Sequence, residues 1–142
     1  MIHLKYFKLI LLINLILLHF NSVGQKKCQD TVIYYTSDMG NGIEQLNFPL
    51  KFEIKQGSIL IMSPESNTQV PAFASFKIIK KECQWDTTFS NGISLYEIIS
   101  NDPSAPRKGI INIRIHDKKG RVQLLYENSE PRIFTIKEMK FD

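Results

Sequence analysis

Histidine, cysteine and tryptophan are scarce in this chain, at three, two and one among 142 residues. His3 and His19 fall in the first twenty-four positions, so His116 alone serves the remainder. A metal centre needs several nitrogen, sulfur or carboxylate ligands that converge, and this inventory predicts none. Also missing are the Gly-x-Ser-x-Gly nucleophile elbow, the P-loop, the dinucleotide glycine pattern and the calcium-loop pattern, so no cofactor is expected. No Asn-x-Ser/Thr acceptor occurs either. Charge of one sign is lacking too. The formal net charge is +4, and Lys5 and Lys8 near the start account for half of it. Elsewhere lysines and acids alternate, as in Lys51-Phe52-Glu53-Ile54-Lys55 and Lys80-Lys81-Glu82. Mixed charge of this kind predicts a solvated surface rather than a phosphate-tracking stripe, and no nucleic-acid partner.

What is present begins with an export signal. Lys5 and Lys8 form a basic n-region, Leu9 to Leu18 an apolar h-region broken only by Asn14, and Ser22-Val23-Gly24 a small-residue cleavage site before Gln25. A membrane-spanning helix needs about 20 predominantly apolar residues. The run here includes Asn14 and His19 and stops at Asn21-Ser22. Residues 1–24 therefore read as a cleaved, helical signal peptide, and residues 25–142 as one exported domain with no stable membrane span. Lipid attachment would need cysteine at the first mature position, where Gln25 stands. The expected location is the periplasm or the exterior of a bacterium. In that setting Cys28 and Cys83 read as one disulfide.

After the signal the pattern is that of strands. Thr31 to Thr36 is β-branched and aromatic, and Leu50 to Lys55 alternates apolar and charged residues. Gln56-Gly57 turns into Ser58 to Met62, and Phe73 to Lys81 follows a polar loop. Ile93 to Ser100 comes after the turn dipeptide Asn91-Gly92. Gly109 to His116 sets Ile111, Ile113 and Ile115 on one face, and Asp117-Lys118-Lys119-Gly120 turns the chain into Arg121 to Glu127. Arg132 to Phe141 is a last strand of imperfect alternation, with Lys137 to Lys140 reading as an edge. Ile43 to Leu46 reads as a short helical turn. The expectation is an all-β domain, an antiparallel meander of about eight strands that closes like a barrel in preference to a two-sheet sandwich.

Large aromatics cluster around Cys83. Phe76, Trp85 and Tyr96 are the candidate ligand-binding residues, since the mouth of a small barrel lined by aromatics accommodates an apolar molecule. The expected function is therefore binding, of a small apolar ligand or of an unknown protein, without catalysis. One rival is a secreted hydrolase, which requires two or three of Glu82, Cys83, Asp86, Glu97 and His116 to converge in one concave site. Another is a structural or surface-associated interaction protein, which requires a filled core and an exposed apolar patch.

Overall fold

The computed structural model describes residues 28–41, 43–65 and 72–141. The proposed export segment, residues 1–24, lies outside them. The described chain is all-β, with strands β1 (Thr31–Gly40), β2 (Gln45–Lys55), β3 (Ser58–Met62), β4 (Ala74–Trp85), β5 (Gly92–Ser100), β6 (Lys108–His116), β7 (Lys119–Tyr126) and β8 (Arg132–Phe141). Each pairs antiparallel with the next, and β1 pairs with β8 to close the barrel. The last strand is thus not an edge. Glu138 faces Tyr35 and Lys140 faces Ile33 across the closing seam.

Period-two alternation decides which side chains enter the barrel. Val32 and Tyr34 of β1, Phe52 and Ile54 of β2, Ile59 of β3, Ile98 of β5, Ile111 and Ile113 of β6, and Val122 of β7 are all almost wholly buried. Most lysines, glutamates and arginines stand exposed on the outer face, whereas Lys51 and Glu53 of β2 are buried. Apolar inside and charged outside is the reverse of a membrane barrel, whose lipid face is apolar and whose lumen is polar.

Four register shifts, spread over three ladders, add the local twist that helps a sheet curve to closure. Between Thr36 and Asp38 the β1–β2 ladder passes over Phe48 and Pro49, the place where proline, lacking an N–H, interrupts the ladder least. Between Ile78 and Lys80 the phase of β4 shifts: Phe76 points inward before the break, and Cys83 and Trp85 point inward after it. In β8 the step from Ile136 to Glu138 absorbs Lys137, which accounts for the imperfect alternation of that strand.

The expected helical turn at Ile43 to Leu46 is not formed. Asn41 Oδ1 accepts hydrogen bonds from the N–H groups of Ile43 (2.9 Å) and Glu44 (3.1 Å). This side-chain turn returns the chain so that Gln45 and Leu46 pair with Gly40 and Met39. The turn after β6 is also shorter than the sequence suggests. Asp117 and Lys118 alone make it, with φ of 50° and 63°, and Lys119 already pairs with His116. Two residues with positive φ give the hairpin turn whose twist matches that of the strands. At the same end of the barrel, Gly92 begins β5 directly beneath the Trp85 indole, where any Cβ would collide with the ring. The preceding turn is organised instead by Asp86. Its carboxylate accepts from the N–H groups of Ser90 and Asn91 and from Asn91 Nδ2, and these bonds hold it below the usual carboxylate range.

Cys28 and Cys83 form a disulfide across a sequence separation of 55 residues. It fastens the segment before β1 to the inner side of β4, and both residues belong to the core. Closing a loop of this length restricts the unfolded chain by about 4 kcal/mol in the chain-entropy account. The Cys28→Ser, Cys83→Ser double variant should therefore lose about 4 kcal/mol of unfolding free energy in urea titration. An unchanged midpoint would show that the bridge restrains nothing.

Candidate functional site

The interior is occupied by protein side chains. Tyr34 from β1 and Tyr96 from β5 project from opposite walls. Burial pushes both hydroxyls above the ordinary tyrosine range, with the neighbouring Tyr96 adding to the effect at Tyr34. Phe52 and Phe134 meet edge to face, with centroids 5.0 Å apart. Trp85 Nε1–H donates to Ser94 Oγ at 2.9 Å, so the buried indole and hydroxyl satisfy one another.

Each end of the barrel carries aromatics. At the end formed by the β4–β5 and β6–β7 turns, Phe89 packs on Trp85 and on Phe141, with centroids 6.1 and 5.1 Å apart. Toward the other end Phe76 leans on Tyr126, whose ring lies 4.2 Å from the Arg107 guanidinium carbon. Phe76, Trp85 and Tyr96 therefore occupy three levels of one core. Phe76 pairs at Ser100, Tyr96 lies opposite Lys81 in mid-wall, and Trp85 sits at the final β4 pair. They are 1%, 2% and 1% exposed.

The residues a hydrolase would use are dispersed. Cys83 is a disulfide sulfur and has no thiolate to offer. Glu82 pairs with Lys80, which also lies 3.9 Å from Glu97, and all three side chains are about half exposed on the outer wall. Asp86 is consumed by its own turn. His116 stands almost fully exposed at a hairpin end, 3.5 Å from Asp117. Among the described residues no group of three or more His, Cys, Asp or Glu is placed to hold a metal ion.

The outer wall of β4 to β8 is where groups of different chemistry converge. Register places Arg114 of β6 directly opposite Arg121 of β7, and Asn112 opposite Gln123 in the next row. These four and Ile133 line a cleft of about 240 Å³. Past Asn112 and Arg114 it opens into a trough of about 740 Å³ over Glu82, Gln84, Ile93 and Leu95. On the far side Arg121 also borders a hollow with Ile43 and Glu44 of the β1–β2 tip. Asn112 Oδ1 is sheltered from solvent and has no hydrogen-bond partner, an arrangement that costs on the order of 1–3 kcal/mol. Lower on the wall Ile79, Ile110 and Leu125 line an apolar hollow of about 280 Å³, edged by Glu97, Lys108 and Glu127.

Sequence reasoning missed this convergence. Arg114 and Arg121 are seven positions apart among ordinary strand residues, and only the two-residue turn between their strands sets them face to face. The sequence signal available was the absence of Asp and Glu from both strands, Lys108–His116 and Lys119–Tyr126. No family model, curated protein or solved structure matches the chain.

Like charges directly opposite in a sheet oppose its pairing. Arg121→Gln should accordingly raise unfolding free energy by about 0.2–1 kcal/mol. The gain should shrink as added salt shortens the screening length. Urea titrations at low and high salt check this, and a loss of stability on substitution contradicts it.

Proposed function

We propose that this is an exported, non-enzymatic barrel that works by binding, with the outer wall of β4 to β8 as its recognition surface. The observation that carries the reading is the division between inside and outside. Tyr34 and Tyr96 are buried in the lumen and aromatics fill both ends, while Ile79, Ile93 and Ile110 stand on the wall 55%, 44% and 37% exposed. Recognition surfaces commonly combine exposed apolar side chains with a polar rim and an arginine anchor. Here Arg114 and Arg121 supply the anchor, and Ile93 and Leu95 the apolar flank.

Export is supported by the Lys5, Lys8 and Leu9 to Leu18 pattern at the start of the sequence. The Cys28–Cys83 bridge supports a non-reducing compartment, which for this chain we take to be periplasmic or extracellular. Capture of a small apolar ligand among Phe76, Trp85 and Tyr96 is the weaker reading, because the ligand would have to displace side chains that already fill that space.

A photocrosslinking side chain placed at Ile93 or Ile110, with Gln56 on the β2–β3 turn as the control position, tests the proposal in the protein's own host. Discrete adducts from the wall positions and none from position 56 are expected. No adduct at either wall position, or equal labelling at all three, would overturn the reading.

A further inference from the structure

We propose that the upper part of β2, residues 45–49, pairs edge to edge with the same segment of a second copy of this chain, the two strands running antiparallel about Asn47. This surface is separate from the outer wall of β4 to β8, and the inference does not rest on that wall.

The first support is that β2 outruns its neighbour. β3 pairs only with residues 51–55, so above Lys51 the strand has β1 on one side and, among the described residues, no strand on the other. Residues 45–49 are all exposed. The N–H and C=O groups that such a stretch turns away from its one partner form a short free edge, although the barrel as a whole is closed. Apolar side chains are exposed with it. Leu46 is 61% and Phe48 46% accessible, and Ile43 at the hairpin tip is 91% accessible.

The second support is that this edge is unguarded. Exposed edges are ordinarily blunted by charged side chains. β4 shows the usual protection. It too runs past the end of β3, beyond Ile78, but there Lys80, Lys81 and Glu82 stand in the strand and the Cys28–Cys83 bridge fastens the segment before β1. Gln45-Leu46-Asn47-Phe48-Pro49 has no charged residue. Its only limit is at the lower end, where the register break and the missing N–H of Pro49 stop further pairing.

A second copy is the occupant because the segment matches its own reverse. Antiparallel pairing about Asn47 sets Leu46 of each copy opposite Phe48 of the other, two apolar cross-strand pairs of the stabilising kind. Asn47 then meets Asn47, and carboxamides both donate and accept. No like charges are brought together along the five residues. An extended segment of another protein could use the same backbone groups by strand addition, but it would have no such built-in match.

The test is sedimentation equilibrium of the chain, purified as its host processes it, over a wide range of concentration. A reversible monomer–dimer equilibrium is expected. The Leu46→Lys, Phe48→Lys double variant should weaken it by about tenfold or more, since like charges then stand opposite one another. So should Leu46→Glu, Phe48→Glu, while a mixture of the two variants should form a one-to-one heterodimer. Melting curves check that each variant is folded. Directly opposite residues of an antiparallel pair have Cα atoms about 4.5–5.5 Å apart, within reach of a disulfide. Asn47→Cys should therefore link two chains under mild oxidation, and Ser129→Cys, on the exposed β7–β8 turn, should not. A chain that stays monomeric at every concentration, a dimer that both charged variants leave intact, or equal linking through positions 47 and 129 would overturn the proposal. Protection of the amides of residues 45–48 only when another protein is added would assign the edge to that protein and overturn it as well.

Discussion

The ladder between Thr31–Gly40 and Arg132–Phe141 joins the first strand of the described chain to the last, and the rest of the structure depends on that seam. Without it the sheet would have two open edges, each a row of unpaired N–H and C=O groups inviting association. With it, every backbone ladder is internal and the inward side chains face one another from all sides. Closure demands curvature, and curvature is supplied at the breaks in β1, β4 and β8. Pro49 and Lys137, which look like faults in a strand pattern, lie at those breaks.

A barrel of this size has room inside for its own side chains or for one small ligand. This sequence uses the space for packing. Phe52 packs against Phe134, Tyr34 and Tyr96 are buried in the lumen, and the Trp85 to Ser94 hydrogen bond satisfies the polar atoms brought in with the indole. The interior thus bears on stability, and chemistry available to a partner lies on the wall. There the ladder fixes side chains in rows, so charges that local sequence keeps apart become neighbours. The paired arginines and the sheltered Asn112 oxygen are both unfavourable to the isolated fold.

How much of this was legible in sequence follows from the period of the strands. Ile111, Ile113 and Ile115 announce an inward face because one side of the sheet is buried throughout, and Gln56-Gly57 announces a tight turn that the structure contains. The pairing of Cys28 with Cys83 follows from there being only two cysteines. The bulges were not legible, since an inserted residue erases the alternation by which strands are recognised. Asn41 redirected a segment that reads as helical, through side-chain hydrogen bonds that no periodicity records. The cleft beside Arg114 and Arg121 was lost on a single turn. A four-residue turn at Asp117 to Gly120 would set His116 against Arg121 and Arg114 against Gln123. The two-residue turn sets arginine against arginine, and it is anchored from outside the hairpin, by Asp117 N–H on Asn91 Oδ1 and Lys118 N–H on Ser90 O, each at 3.0 Å.

The central claim is that one closed sheet, sealed between its first and last strands, holds the core and displays the wall. Amide hydrogen exchange of the folded protein measures the seam directly, because protection reports the free energy needed to open each ladder. The account predicts that hydrogen-bonded amides of Val32 to Thr36 and of Ile136 to Lys140 exchange as slowly as those of Ile111 to Ile115 in mid-sheet. Seam amides exchanging at the rate of the exposed Asn101 to Arg107 loop would mean that the sheet is open, and would contradict it.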